Sequence, residues 1–579
     1  MKRIALLIAF LLCAQSALAQ TYDVPGNDID EDAAGGDAAG LANDDDLDGY
    51  TTDGTHLGKD CDDTNPLIIQ GTEVTSGCSA GQWKTCQSDG TYSACGNACP
   101  SGTCYHVDPV SGNNVNAGTS YAAAFADWSC LSSYASGAPA CNVHGSLACG
   151  DHIYLHPGTH SNSHTESGYN KVGLLIKNKA CPANNLITVH AIGAAVLDLP
   201  STATDESSAI FADNSDGVFL KLNHLGEVTG NVSTGSASGQ EMGAISCRDS
   251  DDFTVQGGYF HDNSGDGNTN PAAIRIGTCT RWVVDHVKAY NQINNSGNSD
   301  NNCLVIAFNG SGTIKYSMLG YTATPICGVR YKHGASAGSF SFHHNRLSRA
   351  QVISAAPGEV VENNIFANSA TGGGQTCGVD TYVGIGMCDN GGPAYDGTQV
   401  VRYNSFLGGH AYGWNPENDW DAGGASSADS GTFGTLSFTY NVVVDPDTFF
   451  SRTDSLGNID NYGTDADYAS IVTGGKMTES YNCYHDSGST GQWSWYGQTT
   501  NPAGDYFTFA DPDPTGFCAA GCFDENPTVD TQLRATSANC LNYGWQANWT
   551  ADGSASPSTP ATTGAAHLIN HVLWRHNRR

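Results

Sequence analysis

The chain has 579 residues, with 58 Asp and Glu against 24 Lys and Arg, a formal net charge of −34. A protein this acidic is repelled by nucleic acid and by anionic membrane surfaces, so neither is an expected partner. Its 70 glycines, with abundant Asn, Ser and Thr and few Lys, Glu or Leu, make poor helices and many turns, which predicts a large all-β protein built from short strands.

Residues 1–19, "MKRIALLIAFLLCAQSALA", have a basic start, an apolar run and an A-L-A ending, the pattern of a secretory signal peptide. Cys13 follows Leu12, too bulky for the usual lipidation signal. No later stretch reaches the ~20 apolar residues of a membrane helix. The protein is therefore expected to be exported from a bacterium without membrane insertion, and is taken as a monomer. Without Cys13 the cysteines number 20, an even count in an oxidising compartment, and most are expected in disulfides.

Residues 20–75 form an acidic segment. Within it, "NDDDLDGYTTDGTHLGKDCDDTNP" (43–66) has eight Asp in 24 residues. Asp44, Asp46 and Asp48 alternate before Gly49, like the first half of an EF-hand loop. The twelfth position is Thr55 rather than Glu, so the unit is not an EF-hand. Asp60, Asp62 and Asp63 could supply the missing ligands. The whole unit resembles the Asp-rich metal-binding repeats of secreted bacterial proteins and, more loosely, thrombospondin type 3 calcium repeats. All-oxygen ligands suit Ca²⁺, in a structural role, with Cys61 expected in a disulfide. The bland alternative is an acidic spacer.

Residues 76–104 hold five cysteines in 29 residues, too small a piece for a core of its own, and so a disulfide-stapled module. The main body runs from 105 to 545. A Ser/Pro/Thr linker and a basic tail (546–579) follow, with no role legible in them.

The body repeats itself. "VVENNIFAN", "VVRYNSFLG", "LSFTYNVVV" and "TESYNCYHD" align Asn364, Asn404, Asn441 and Asn482, and "FHHNRL" adds Asn345. A second series, "AISC", "AIRI", "CLVI" and "CGVR", recurs at offsets of 29, 30 and 24 residues. Such periods without helical spacers predict a solenoid of parallel strands. Cys303 and Cys327 then occupy equivalent places on neighbouring rungs, either as a disulfide or as buried thiols. The stretch "GDHIYLHPGTH…GLLIKN…NNLITVHAIGAAVLDL", with the Asn-bearing rungs, resembles the right-handed parallel β-helix proteins of the pectate-lyase-like fold over about 105–545. That resemblance implies the fold. It leaves open lyase, hydrolase, epimerase, adhesin and tailspike functions.

Charge narrows the search. Residues 244–350 hold nine basic and seven acidic residues, a local balance of plus two in an otherwise acidic chain. Strand alternation sends Ile274, Ile276, Val329 and Tyr331 inward, so Arg248, Arg275, Arg330 and Lys332 are expected on one outer face. With Lys315 and Arg346, they form a candidate surface for a polyanionic glycan. The layout "VRYKHGASAGSFSFHHNRL…VISAAPGEVVENNIF" resembles the β-helix lyases that act on alginate and dermatan sulfate. Their chemistry is β-elimination, with a calcium-neutralised uronate carboxylate and a lysine that removes the C5 proton. The resemblance implies Lys332 as that base. Where the family has its arginine this chain has Ser354 or Ala355, and 244–350 contains no Glu, so Arg330, His333 and Arg349 are the substitute candidates for the neutralising or acid role, and any catalytic calcium would need Asp or Asn ligands instead, such as Asp300, Asn301 and Asn302. A hydrolase would need two opposed carboxylates, and the Asp-Gly and Asp-Asp pairs here read as turns. The rival function is a calcium-stiffened, non-catalytic glycan-binding or adhesive protein.

Overall fold

The computed structural model of the chain describes residues 59, 61–62, 68–96, 99–133, 141, 147–166, 169–199, 207–222, 226–230, 232–233, 243–265, 272–290, 293–294, 303–308, 310–320, 326–332, 339–354, 359–369, 385–388, 398–415, 435–452, 477–485, 492–495, 505–508, 518–520, 523–524, 537 and 540. The expected signal peptide, the C-terminal tail, His333, and Asp44, Asp46, Asp48, Asp60 and Asp63 lie outside these residues.

The chain folds as a right-handed parallel β-helix, as its sequence predicts. Each coil contributes three short strands, one to each face. A representative coil runs Gly243–Arg248, Phe253–Gln256 and Tyr259–His261, and the next runs Ala272–Gly277, Trp282–Asp285 and Lys288–Tyr290. Strands of successive coils pair in parallel on the first, second and third faces. Two 3-10 turns, Tyr121–Ala123 and Trp128–Leu131, are the helical elements among the described residues, and no described helix is long and apolar enough to cross a membrane.

Apolar residues at alternate strand positions build the interior. Ile245, Ile274, Val305, Val329 and Val352 stack inside the first face. Val255, Val284, Ile314, Phe342 and Val361 do so inside the second, and Phe260, Ala289, Leu319, Leu347 and Phe366 inside the third. Each large side chain so buried contributes about 1.5–3 kcal/mol, and the core extends by one such layer per coil.

The corner between the second and third faces is built alike in coil after coil. One residue takes a left-handed conformation: His286, Tyr316, His344, Asn363, Tyr403, Tyr440 and Tyr481 all have φ between 49° and 60°. That conformation turns the following residue into the barrel. There Asn345, Asn364, Asn404, Asn441 and Asn482 form a ladder, each donating its side-chain Nδ2 to the next Oδ1 at 2.9–3.2 Å. Outside the ladder Tyr403, Tyr440 and Tyr481 stack at 5.0 Å, within 7° of parallel.

Disulfides are numerous, as expected. Cys247–Cys279 joins neighbouring coils, Cys149–Cys181 and Cys130–Cys141 staple the first ones, and Cys483–Cys540 ties down a late segment. Cys303 is disulfide-bonded too, and the register that pairs Val305 with Val329 relates it to Cys327 by the same offset. The cysteine-rich region carries Cys61–Cys86, Cys78–Cys95 and Cys99–Cys104, and lies on the second face at its N-terminal end. Trp83 packs on Tyr154 at 4.5 Å, and the Glu73 carboxylate reaches His190 and Lys221.

Candidate functional site

The register of the first face brings part of the expected cationic surface together. Phe211, Ser246, Arg275, Ile306 and Arg330 form one column of outward positions. Lys177, Asp213, Arg248, Gly277, Phe308 and Lys332 form the next. At a rung spacing of ~4.8 Å, Arg275 and Arg330 stand ~10 Å apart, with Arg248 and Lys332 ~14 Å apart in the adjacent column. Lys332 ends the strand Ile326–Lys332 beside Phe308.

Arg275 and Arg330 do not project into solvent as strand alternation suggested. Arg275 is 7 % exposed and Arg330 3 %, while Leu304 and Ile306 on the same outward side are fully buried. Arg275 lies over the Phe308 ring at 4.3 Å. Arg248 grips Asp213 through Nε and Nη2, both at 2.7 Å. The physical reason is that this side of the sheet is itself covered, so facing away from the barrel is not the same as facing water. A small parallel sheet of Val232–Ser233, Ser264–Gly265 and Ile293–Asn294 is part of this surround, its first strand lying beside Gly243–Arg248.

The remaining candidates fall elsewhere. Arg346 is on the third face, in register with Met318 and Ile365, and is 3 % exposed. Arg349 is left-handed at φ 49°, half-buried, at the corner from the third face to the first. Lys315 is on the second face. The six basic residues chosen from alternation and local charge therefore occupy three faces. Of the Asp-rich unit, Asp62 is described and partly buried, and Cys61 is bonded to Cys86 as expected. Among the described residues no three His, Cys, Asp or Glu side chains converge as a metal site.

Sequence reasoning missed the titratable column of the second face. Gln256, Asp285, Lys315, His343, Glu362 and Arg402 sit in consecutive register. Asp285 accepts from His286 Nδ1 at 2.6 Å and from Gln256 at 3.4 Å, and lies 3.5 Å from Lys315 Nζ. Burial alone would raise its pKa, but His286, Lys315 and Gln256 outweigh that and hold it at about 2. Burial pushes His343 down to about 4, with Lys315 adding to the effect and Asp285 opposing it. Tyr316 stacks on His286 at 5.0 Å and lies 4.8 Å from His344. Farther along, Arg402 clamps the buried Glu362 carboxylate at 2.6–2.7 Å. The signal was present in sequence: each of these residues stands two places before the residue that turns inward at the corner. Within the column Asp285 pairs with Lys315 and Glu362 with Arg402, which suits a stiff wall better than a reacting centre.

No family model matches the chain, and no curated protein does. Among solved structures it is similar to the pectate lyase Pel9A, at 14 % identity over 64 % of this chain and 84 % of that one, TM-score 0.38. It is similar to a rhamnogalacturonan lyase at 13 % identity over 59 % and 82 %, TM-score 0.32. A family PL6 polysaccharide lyase from Pseudopedobacter saltans aligns at 12 % identity over 70 % and 96 %, TM-score 0.29.

Proposed function

We propose that the chain is a secreted β-helix protein that acts on an acidic, uronate-containing polysaccharide, cleaving it by β-elimination with Lys332 as the base. The observation that supports this reading is the register of the first face, which gathers Arg248, Arg275, Arg330 and Lys332 into two adjacent columns of a chain whose net charge is −34. A uronate C5 proton is too weakly acidic beside a free carboxylate, so elimination needs a cation on that carboxylate. Arg330, two residues before Lys332, is assigned that role, with Arg349 as its alternate. Asp300, Asn301 and Asn302, candidate ligands for a catalytic calcium, lie outside the described residues, and neutralisation is assigned to arginine. Lys332 must be neutral to take the C5 proton, and neighbouring guanidinium charge favours the neutral amine. The electron pair forms the C4–C5 double bond, the C4–O bond breaks, and His333 or water protonates the departing oxygen. Arg248 and Arg275 would hold further sugar carboxylates, whereas Lys315 on the second face and Arg346 on the third stand away from this surface. In this reading Ca²⁺ on Asp44, Asp46, Asp48, Asp60, Asp62 and Asp63 stiffens the N-terminal segment.

A second reading, glycan binding without cleavage, is favoured by one observation: Ser354 or Ala355 stands where the lyases that the sequence resembles have their arginine. The two separate on one assay. Purified protein and Lys332→Ala are incubated with alginate, pectate and glycosaminoglycans, and ultraviolet absorbance of unsaturated uronate ends is followed. The lyase reading expects signal on one glycan and at least a hundredfold loss in the variant. Signal untouched by the substitution would remove Lys332 as base, and binding to a glycan without signal would leave the second reading.

A further inference from the structure

Five histidines crowd the first coils beneath the cysteine-rich module, and nothing in the proposed chemistry uses them. His106 Nδ1 lies 2.9 Å from His156 Nε2, and the two rings stack at 5.2 Å. His152 Nδ1 lies 2.9 Å from His190 Nε2. His190 Nδ1 donates to Glu73 Oε2 at 2.8 Å, and His160 Nε2 donates to the His156 carbonyl at 2.9 Å. Trp83 of the module sits against both His106 and His156, 6.5 Å from each ring. The module is thus held by an indole on an imidazole pair and by one carboxylate on a second pair.

We propose that the cysteine-rich module is an acid-released clasp: protonation of the histidines beneath it frees the module from the second face while the β-helix stays folded. The module can move as a body. Cys78–Cys95 closes it internally, Cys61–Cys86 and the strand pair Glu73–Val74 with Lys84–Thr85 bind the end of the acidic segment to it so that the two move together, and Cys99–Cys104 lies in the connection to the first strand, Cys104–Val107. Each imidazole pair shares one proton, so another proton puts a charge inside the contact. Around His106 stand His156, Tyr154 and Trp83, with no carboxylate among its described contacts. Around His156 stand His106, His160, Tyr121 and Trp83, with Asp108 as the one nearby anion. His152 meets His190, Tyr154 and Ser101, with Asp151 and Glu73 nearby and Lys221 opposing them. His190 meets Tyr154, His152 and Glu73, and Glu73 also faces Lys221. Cation–π attraction to Trp83 offers little rescue, since 6.5 Å exceeds its usual reach of about 6 Å.

The direction in pH follows. Burial holds His106 and His160 at about 4, and burial with His106 holds His156 at about 3, while burial and His190 lower His152. Once exposed, His106, His152 and His156 would titrate near 6.5. The released state therefore binds more protons at every pH between about 4 and 6.5, and docking weakens steadily as pH falls through that window.

The test is a pH titration of the full chain from 8 to 4. Trp83 emission, isolated as the difference between wild type and Trp83→Phe, is compared with far-ultraviolet circular dichroism. The expected result is a red shift of Trp83 within the window while the β signal stays constant. In His106→Gln/His156→Gln, which removes the titrating pair, the midpoint should fall by at least half a pH unit. In Glu73→Gln, which loosens the carboxylate hold, it should rise. Trp83 emission that stays constant to pH 4, or that moves only with loss of the β signal, overturns the clasp. A midpoint unchanged in both variants overturns the histidine trigger.

Discussion

Asn404 shows how much one residue carries in this architecture. Its Nδ2 donates to Asn441 Oδ1, Val361 O and Arg402 O, and its Oδ1 accepts from the backbone N–H and the Nδ2 of Asn364. It is fully buried, so water cannot replace it. Asn404→Ala leaves the Asn364 backbone N–H without its acceptor, while Asn364 Nδ2 keeps Phe342 O and Glu362 O, and each buried unsatisfied group costs about 1–3 kcal/mol. The expected loss is about 2–5 kcal/mol, read as a lower urea midpoint. Asn364→Ala/Asn404→Ala should lose less than the sum of the two single changes, because the bond between them is counted in both. Additive losses would mean that the ladder is a row of independent side chains.

Between neighbouring coils, fit depends on size matched across the register. Trp282 pairs with Gly312 on the second face, and the indole is fully buried. A Cβ on Gly312 would collide with the benzo ring of Trp282. Gly312→Ala is therefore expected to destabilise by about 1–3 kcal/mol, the usual range for overpacking. Trp282→Ala removes the atoms it strikes, so the double variant should be less destabilised than the sum of the singles. A Gly312→Ala protein as stable as wild type would show that the two strands simply slide apart. The same matching explains what was legible in sequence. The ladder positions demand Asn and nothing else, so they stood out even though successive members are separated by 19, 40, 37 and 41 residues. Period-two alternation likewise gave the inward set on the first face, Ile274, Ile276, Val329 and Tyr331. It could not give the cationic surface. Alternation says which residues leave the barrel but not what then covers them, so Arg275 and Arg330 were read as open when they are buried. Uneven coil lengths also hid which face a cation occupies, which is how Lys315 and Arg346 came to be grouped with Arg248. The acid–base column of the second face went unread for a different reason: its members share a position but not a residue type, so no repeat of letters marks them.

At the scale of the whole molecule, two electrostatic fields of opposite sign compete for an acidic glycan. The chain carries −34 overall, and the residues proposed to hold the glycan are a small cationic island within it. At about 0.01 M salt the Debye length is about 30 Å, so an approaching polyanion experiences most of the protein's negative charge. At about 0.1 M it shrinks to about 10 Å, the repulsion from distant carboxylates is screened, and contacts within the first-face columns are screened far less. Above that, the contacts themselves weaken. If the first face holds the glycan, affinity should pass through a maximum near 0.1 M, severalfold above its value at 0.01 M. Calorimetric titration across a sodium chloride series measures this directly. A steady fall from the lowest salt upward would mean that the local cations outweigh the chain's net charge at long range. Affinity still rising at 0.5 M would mean that apolar stacking, rather than the arginines and Lys332, makes the contact.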